Sequence, residues 1–185
     1  MARIQYSQIQ GIELISRKVI QDNRGTLIKY LDAAEGIGPN TSFKVDSLIQ
    51  TSNHVLGTVR GLHFQVGLHR EKKLITCLSG EIFDVMVDLR PGSPSCGSWA
   101  AITLTESSPY SIFVPSGVAH GYQTQLPETS LCYAIESSYS PDNSYALDPL
   151  DTELEIEWPL SVVNLSPRDA KGLMLHDAIA LMRNA

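Results

Sequence analysis

The chain has 185 residues, of which 43% are hydrophobic and 18% are charged, a composition ordinary for a folded globular domain. Its length allows a substantial core without disulfide or metal staples, and its formal net charge of −6 excludes the general basic field of nucleic-acid surfaces. An anionic ligand would therefore need a local cluster of cations.

Short segments rich in β-branched and aromatic residues follow one another along most of the chain, separated by turn residues. In chain order the predicted strand segments are GIELISRKVI, TLIKYL, SFKVDSLIQTS, TVRGLHFQ, KLITCLSG, EIFDVMVDLR, WAAITLT, SPYSIFVPSG and SLCYAIESSYSP. A Gly/Pro/Asn loop at 36–40 interrupts them, and SGE at 79–81 and PSG at 115–117 predict tight turns. Strands recurring about every eight to twelve residues predict one all-β sandwich or barrel domain over residues 1–185.

One helix is predicted, close to the C-terminus, in the segment SPRDAKGLMLHDAIALM. Ser166 would cap this helix and Pro167 would occupy its first position, where a missing backbone N–H does no harm. Pro149 and Pro159 argue against a long helix at 140–160. The chain is therefore expected to end in a short helical segment after the strands.

The stretch RGLHFQ, residues 60–65, sets an arginine and a histidine inside strand-like apolar sequence. In a regular strand Arg60 shares a face with Leu62 and Phe64, whereas His63 lies on the opposite face. If the two apolar side chains pack in the core, His63 faces either solvent or a cavity.

Several strand segments carry polar groups that packing alone does not require. They are Arg60, His63, Lys73, His120, Tyr133 and Tyr139. Taken singly, a histidine in such a place is more often a buried, hydrogen-bonded residue, and Tyr133 a core residue with a tethered hydroxyl. Lys73 is the exception, because lysine is rarely buried unless it is paired. If the loop VGLHREK joins successive strands, Lys73 and His63 could meet inside one barrel mouth.

Taken together, these segments have the order and spacing of a known family. The matching motifs are RGLHFQ, KL at 73–74, GEIFDVMVDLR, GSPSCGSW, VPSGVAHG, Tyr133 with YSP at 139–141, and EIEWPL. From Gly11 to Asp177 the chain resembles the dTDP-4-dehydrorhamnose 3,5-epimerase family. The resemblance implies an all-β, cupin-type jelly roll (a double-stranded β-helix), usually a homodimer, that epimerises a nucleotide-linked 4-keto-6-deoxy sugar without a metal or cofactor. Edge strands in the N-terminal third, which need cover, also favour a homodimer.

The implied reaction explains why a site would hold these residue types. A proton beside a ketone is acidic only because its removal places charge on the ketone oxygen, so the site needs a base, an oxyanion stabiliser and an acid on the opposite face. Those jobs suit His63, Lys73 and Tyr133. The resemblance implies that His63 is the base, and that Asp169 orients it and stabilises its cationic form.

The resemblance also implies a set of substrate contacts. Arg24 and Arg60 match diphosphate-binding positions, His120 matches a substrate contact, and Arg168 stands where the family commonly has lysine. A guanidinium group can bind two phosphate oxygens at once, so the geometry of this contact differs from that of lysine. Tyr139 is expected to stack on the nucleobase or to help exclude water.

Three departures from the family pattern fall at the expected nucleotide end. Lys29 and Ser144 stand where glutamate is usual, and Leu48 and Gln50 replace a polar pair before the RGLH strand. The changed charge predicts an altered base or sugar preference. The identity of the nucleotide and the number of epimerised centres, C3, C5 or both, therefore stay open.

Three other functions fit parts of this sequence. They are a single-centre epimerase of the same fold acting on a CDP- or GDP-linked sugar, a metal-dependent cupin, and a non-catalytic sugar-binding module. A metal site would want several converging His and carboxylate ligands, whereas the chain has no HxH pair near His63. A binding module has little use for a base, its carboxylate partner and a facing phenol together.

The expected compartment is the cytoplasm. The three cysteines, Cys77, Cys96 and Cys132, form no CxxC pair and leave an odd one over, which is typical of reduced thiols. The start, MARIQYSQIQ, lacks an apolar signal region, and no run approaches the roughly 18 apolar residues of a membrane span. A nucleotide-sugar partner is thus expected, with neither a nucleic acid nor a membrane.

Overall fold

The computed structural model describes residues 3–5, 9–32 and 43–185. The strands and the α-helix in those ranges are β1 (Arg3–Gln5), β2 (Glu13–Ser16), β3 (Lys18–Asp22), β4 (Gly25–Lys29), β5 (Ser47–Asn53), β6 (Val59–Gln65), β7 (Lys72–Ser79), β8 (Glu81–Asp88), β9 (Trp99–Thr105), β10 (Tyr110–Val114), β11 (Val118–Thr124), β12 (Thr129–Glu136), β13 (Ser144–Ala146) and α1 (Leu175–Asn184). Short 3₁₀ turns lie at Gly67–His69, Pro141–Asn143 and Asp169–Lys171. The predicted loop at 36–40 lies outside the described residues.

The strands form two antiparallel sheets and a separate hairpin. One sheet has six strands in the order β1-β2-β10-β7-β12-β5, the other has five in the order β13-β6-β11-β8-β9, and β3 pairs only with β4. The predicted tight turns are confirmed, because Gly80 joins β7 to β8 with a φ of +78° and Gly117 precedes β11 with a φ of +82°. The all-β architecture with a short C-terminal helix is likewise confirmed.

Strand alternation sorts the apolar side chains into layers. Residues of both sheets, among them Ile75 of the six-stranded sheet and Met86 of the five-stranded sheet, pack together in the space between the sheets. Leu62 and Phe64 point the other way and pack beneath α1, where each buried side chain contributes about 1.5–3 kcal/mol. His63, between them in sequence, therefore faces the inter-sheet space, as its position in RGLHFQ predicts.

Strand β6 does not keep the regular alternation throughout. His63 pairs with His120 and Arg60 pairs with Tyr122, so three residue steps on β6 match two steps on β11. The extra residue makes a β-bulge next to Gly61, whose φ is +117° and whose added Cβ would lie 2.6 Å from the backbone of β11. The expectation from strict alternation is therefore wrong for Arg60, because the bulge turns it toward the cavity that His63 lines.

The C-terminal helix begins later than predicted. Ser166 Oγ accepts a hydrogen bond from the Asp169 N–H at 3.0 Å, but it caps only a short 3₁₀ turn. The chain then runs extended, since the Leu173 N–H donates to the backbone of β13 at 2.8 Å. Helix α1 starts at Leu175, whose N–H donates to Asp151 Oδ2 at 2.6 Å. Within the described residues, no helix has the length and apolar character needed to cross a bilayer.

Candidate active site

A cavity of about 210 Å³ opens between the two sheets and is lined from both; it is called the main cavity here because it collects most of the predicted site residues and not because of its size. Its lining residues are Ile49, Thr51, Arg60, His63, Glu71, Lys73, His120, Tyr122, Tyr133, Ile135, Tyr139, Ser144 and Arg168. A side cavity of about 300 Å³ shares Arg60, His63 and Arg168 with it and extends to Asp169. In the described part of the chain, no group of three or more His, Cys, Asp or Glu is placed to hold a metal ion. Most of the predicted site residues thus meet in one place.

His63 and Asp169 form a close pair, called the dyad below, where the two cavities meet. His63 Nε2 lies 2.7 Å from Asp169 Oδ1, and Asp169 Oδ2 accepts the Gly61 N–H at 3.3 Å. Burial alone would raise the pKa of Asp169, but the hydrogen bond and charge of His63, with Gly61 and Ser166, hold that pKa below its ordinary value. Because Asp169 is an ionised acceptor, Nε2 carries the hydrogen and Nδ1 keeps the lone pair that can take a proton.

Lys73 extends from β7 into the main cavity, with its side chain only 7% exposed. Its Nζ donates to the carbonyl oxygen of His63 at 3.1 Å and lies 2.8 Å from Glu71 Oε1. The carboxylate partner explains how lysine can be buried here. A buried ammonium group at the edge of a cavity can stabilise negative charge on a ligand oxygen.

Tyr133 reaches the main cavity from β12 of the six-stranded sheet, whereas the imidazole of the dyad reaches it from the five-stranded sheet. Its ring meets His120 edge to face, with 5.9 Å between ring centroids. Burial raises the pKa of Tyr133 well above its ordinary value of 10.0, Tyr122 and Asp84 raise it further, and Thr51 lowers it. The phenol therefore keeps its proton at neutral pH and can donate it.

His120 lines the main cavity from β11, and its Nε2 lies 2.7 Å from Asp84 Oδ1. Both side chains are buried, and Asp84 Oδ2 has no hydrogen-bond partner in the described ranges. The carboxylate fixes the orientation of the ring from behind. His120 can thus present its remaining ring atoms to a ligand.

Two cations lie at the junction of the cavities. Arg60 Nε donates to Asn53 Oδ1 at 2.7 Å, and Arg168 Nη2 donates to Ser144 Oγ at 2.9 Å. Both acceptors are uncharged, so neither contact neutralises a guanidinium group. Tyr139 lies at the same opening and is 65% exposed. An opening of this kind can bind a diphosphate.

Three residues predicted to contact substrate lie away from the main cavity. Arg24 is on the β3–β4 hairpin, with an 86% exposed side chain that pairs with Asp22 at 2.6 Å. Lys29 pairs with Asp32 and lines a groove on the outer face of the six-stranded sheet. Gln50 also lies on that outer face, because its two neighbours on β5 face the cavity and strand residues alternate. Within a single chain these predicted contacts are not formed.

Sequence reasoning missed three residues that the fold places at this site. Glu71 and Tyr122 line the main cavity, and Asp84 supports its wall. A signal existed for each: Glu71 lies two residues before Lys73, Tyr122 lies two after His120, and Asp84 interrupts an apolar strand. Residues two apart on a strand share a face, so extending the faces of the predicted residues would have found two of them.

Comparisons with known proteins agree with this fold and show which family the chain belongs to. A family model described as dTDP-4-dehydrorhamnose 3,5-epimerase matches residues 6–177. The dTDP-4-dehydrorhamnose 3-epimerase of Streptomyces niveus is 36% identical over 173 residues, which cover 92% of this chain and 82% of that protein. The dTDP-4-dehydrorhamnose 3,5-epimerase of Salmonella typhimurium is 33% identical over 175 residues, which cover 92% of this chain and 94% of that protein. The crystal structure of dTDP-6-deoxy-D-glucose-3,5-epimerase from Legionella pneumophila, in complex with dTDP-4-keto-L-rhamnose, has a TM-score of 0.87, 31% identity, and coverage of 95% of this chain and 93% of that one. The chain therefore belongs to the dTDP-4-dehydrorhamnose 3,5-epimerase family, and its fold is the jelly roll that the resemblance implies.

Proposed function

We propose that the protein epimerises a dTDP-linked 4-keto-6-deoxy sugar by moving protons at the carbons beside the ketone. The observation that carries this proposal is the His63–Asp169 pair, which faces the partly buried phenol of Tyr133 across one cavity, with Lys73 beside them. The arrangement supplies a base, an acid from the opposite sheet and a cation for an oxygen anion. The Legionella relative with dTDP-4-keto-L-rhamnose bound supports the substrate class.

In this proposal His63 begins the reaction. Its Nδ1 takes the proton from a carbon next to the ketone, and the C–H electron pair forms the carbon–carbon double bond of an enolate. The imidazolium that results lies against the Asp169 carboxylate, and the Lys73 ammonium stabilises the charge on the former ketone oxygen. A positioned proton-transfer group of this kind typically contributes roughly 10²–10⁴-fold to the rate.

Tyr133 completes the inversion. Its phenol donates a proton to the same carbon from the opposite face, which restores the ketone and inverts the centre. The proton held on His63 returns to solvent and Tyr133 takes one back, so no proton or electron is consumed overall. The pKa of Tyr133 lies above its ordinary value of 10.0, first because of burial, so the phenol carries its proton at neutral pH before each turnover.

The diphosphate is proposed to bind at the junction of the two cavities. Arg60 and Arg168 both face this junction, and their side-chain partners among the described residues are uncharged. Ser144 leaves the positive charge of Arg168 available to phosphate, whereas a carboxylate at that position would compete for it. Tyr139 is the exposed aromatic ring on which a nucleobase can stack.

The test is incubation with dTDP-, CDP- and GDP-linked 4-keto-6-deoxy sugars in deuterium oxide, followed by NMR of the products. Deuterium at one carbon beside the ketone indicates a single-centre epimerase, and deuterium at both indicates a double one. His63→Ala should bind the nucleotide sugar without labelling it, and Tyr133→Phe should label it with little inversion. Binding without exchange for all three sugars would instead identify a sugar-binding module, and activity that follows a stoichiometric metal would identify a metal-dependent cupin.

A homodimer is also proposed. The β3–β4 hairpin exposes Val19, Ile20 and Leu27, and the edge strand β5 exposes Leu48. Exposed apolar side chains beside an unpaired strand edge favour cover by another chain. In such a dimer Arg24, on the same hairpin, could reach the diphosphate bound by the other protomer. Light scattering at micromolar concentration tests this, and a monomeric mass would contradict it.

The proposed compartment is the cytoplasm. Cys77, Cys96 and Cys132 are all free thiols, the state that a reducing compartment favours. Because Cys77 is buried, cells are lysed directly into denaturing alkylation buffer, which should modify all three cysteines, and fractionation of parallel cells should recover the protein in the cytoplasmic fraction. A disulfide, or recovery from an oxidising compartment, would contradict the proposal.

A further inference from the structure

The side chain of Gln65, the last residue of β6, ends in a buried amide that the proposed mechanism does not use. The residue is 2% exposed. It lies where the connection between β6 and β7 meets the segment between β12 and β13, and its amide contacts both. The second of these segments carries Tyr139, the ring on which a nucleobase is proposed to stack.

The amide bonds to the backbone on both sides of Tyr139. Gln65 Oε1 accepts the Ser140 N–H at 2.8 Å, and Gln65 Nε2 donates to the Ser138 carbonyl oxygen at 3.4 Å. Nε2 also donates to the His69 carbonyl oxygen at 3.0 Å. Because oxygens surround one end of the amide and an N–H meets the other, the orientation of the amide is fixed. One side chain thus joins the residues that flank Tyr139 to the β6–β7 connection.

The position of the Tyr139 ring depends on this backbone. The ring is 65% exposed at the opening of the main cavity, and within the described residues its side chain has no hydrogen bond or aromatic contact. The backbone before it is strained, since Ser137 has a φ of +121°, and such a conformation costs roughly 1–3 kcal/mol and persists only where neighbouring contacts hold it. Ser137 Oγ supplies one of these contacts, to the His69 carbonyl oxygen at 3.1 Å. Contacts of the segment, rather than of the ring itself, therefore place Tyr139.

The same amide is anchored at the reacting end of the main cavity. Gln65 Nε2 lies 3.2 Å from Glu71 Oε2, and the other oxygen of Glu71, Oε1, lies 2.8 Å from Lys73 Nζ. Hydrogen bonds to a charged acceptor are stronger than those between neutral groups. The ion pair thus gives the amide a firm attachment on the side opposite to Tyr139.

We propose that Gln65 is a positioning residue for nucleotide binding, because it bonds the backbone on both sides of Tyr139 to the β6–β7 connection and so holds the ring where a nucleobase can stack. The inference deepens the proposed function and rests on it. Without these bonds the segment has to be ordered each time a ligand binds, and that ordering lowers the affinity. Gln65 thus acts on the nucleotide through Tyr139.

The test measures the binding of dTDP by isothermal titration calorimetry to the wild type, Gln65→Met, Tyr139→Ala and the double variant. Methionine keeps the length of the side chain without its hydrogen bonds. Gln65→Met should weaken binding roughly two- to tenfold, the scale of one net hydrogen bond. The double variant should bind no more weakly than Tyr139→Ala, because no ring is left to place. Wild-type affinity in Gln65→Met, or losses that add in the double variant, overturn the inference.

Steady-state rates with the nucleotide sugar give a second measure. In Gln65→Met the KM should rise by the same factor as the dissociation constant of dTDP. The kcat should change less, because Lys73 keeps its ion pair with Glu71. A kcat that falls while KM stays at the wild-type value contradicts a role in binding.

Gln123→Met is the matched control. Gln123 is also buried, and its amide bonds to Leu160 in the same manner, donating to the carbonyl oxygen at 2.8 Å and accepting the N–H at 3.0 Å. This variant should lose a comparable free energy of unfolding and still bind dTDP as the wild type does. Equal losses of dTDP affinity in the two variants show a general packing defect and overturn the inference.

Hydrogen exchange measured by mass spectrometry locates the effect of each substitution. Exchange should become faster at 137–143 in Gln65→Met and around Leu160 in Gln123→Met. Unchanged exchange at 137–143 in Gln65→Met overturns the inference. If Gln65→Met does not fold, Gln65→Asn takes its place, since it keeps an amide on a side chain one methylene shorter, and it should show the same dependence on Tyr139.

The outcomes also separate the inference from the function on which it rests. A wild-type protein that neither binds dTDP nor exchanges deuterium with any of the nucleotide sugars contradicts the proposed function itself. A wild-type protein that binds dTDP and inverts the sugar, together with wild-type affinity in Gln65→Met, overturns only the role of Gln65. Wild-type affinity in Tyr139→Ala also overturns that role, since the ring then contributes nothing to nucleotide binding.

Discussion

Two histidines line the main cavity, and each is paired with a carboxylate at the same distance but in different surroundings. In both pairs the imidazole Nε2 lies 2.7 Å from a carboxylate oxygen. The side chain of His63 is 37% exposed, whereas that of His120 is 3% exposed. A base must reach its ligand and afterwards return the proton to solvent, and only the first pair has that access. Distance alone therefore does not assign a role to a histidine–carboxylate pair.

The two carboxylates differ as well. Asp169 has hydrogen-bond donors on both oxygens, from His63 and from the Gly61 N–H. Asp84 is completely buried, and of its oxygens Oδ2 has no partner within the described residues. Stabilisation of Asp84 thus depends on His120. The comparison predicts that substitutions in the exposed pair mainly change the reaction and that substitutions in the buried pair mainly change stability.

The largest effect is expected for His63→Ala. Removing the base should reduce kcat by roughly 10²–10⁴-fold, the contribution of a positioned proton-transfer group. The midpoint of thermal unfolding should fall less than in His120→Ala, because Asp169 keeps the Gly61 N–H as a hydrogen-bond donor. Initial rates of inversion by NMR, together with thermal unfolding, measure both quantities.

His54→Ala is the matched control for this substitution. His54 also pairs with a carboxylate, Glu128, at 2.9 Å, but its side chain is 75% exposed and lies outside the main cavity. It should leave both kcat and stability at the wild-type level. Equal losses of activity in the two variants would show that the first effect does not come from the dyad.

A large effect on stability, rather than on activity, is expected for His120→Ala. The substitution leaves the buried Asp84 carboxylate without its histidine, and an unsatisfied buried acceptor typically costs roughly 1–3 kcal/mol of unfolding free energy, or more when it is charged. Urea unfolding at neutral pH measures the loss. The double variant His120→Ala/Asp84→Asn should recover part of it, because the buried charge is then gone. A double variant less stable than the single one would contradict the role given to this pair.

An intermediate effect is expected for Asp169→Asn. The amide keeps the size of the side chain but cannot stabilise an imidazolium, so kcat should fall by roughly 10²-fold, within the range of a proton-transfer contribution. The folded-state pKa of Asp169 lies below the ordinary value of 3.8, despite burial, because of His63, Gly61 and Ser166. The carboxylate therefore contributes stability above pH 3.8, and this contribution is lost as the pH falls through the folded-state pKa.

Unfolding of the wild type and of Asp169→Asn at neutral and acidic pH tests whether the carboxylate loses its contribution to stability as the pH falls. The difference in unfolding free energy between the two proteins should be largest at neutral pH and should become smaller in acid. A difference that stays constant down to pH about 2 would mean that the dyad does not lower the carboxyl pKa.

Much of the fold could be predicted from the sequence because its signals are local. The alternation in RGLHFQ placed Leu62 and Phe64 in the core, and the SGE and PSG turns followed from their glycines. The start of α1 could not be predicted, because Leu173 makes a backbone bond to β13, a partner distant in sequence. Local capping by Ser166 favoured an earlier start, and this long-range pairing prevented it.

Site residues that belong to a recognisable sequence motif could be predicted. Residues that enter or leave the site because of the way a strand is placed could not. His63, Lys73 and Tyr133 line one cavity as expected. Arg60 lines it only because a bulge at Gly61 breaks the alternation of β6, and the glycine inside the strand is the signal from which this could have been expected. Gln50 shows the reverse, since its strand is regular and turns it to the outer face.

The smallest effect is expected for Asp84→Asn. This variant also tests the difference between the two histidine–carboxylate pairs most directly. The substitution is the same as in Asp169→Asn, but its target lies behind a ring that takes up no proton in the proposed mechanism. A neutral acceptor replaces a charged one for His120, and a change of one hydrogen bond is worth about 0.5–1.5 kcal/mol, at most about tenfold in kcat. Steady-state rates of inversion for the two variants, measured side by side, should therefore differ by about tenfold or more. Equal losses would mean that both pairs take part in proton transfer, and that the buried ring exchanges protons despite its enclosure.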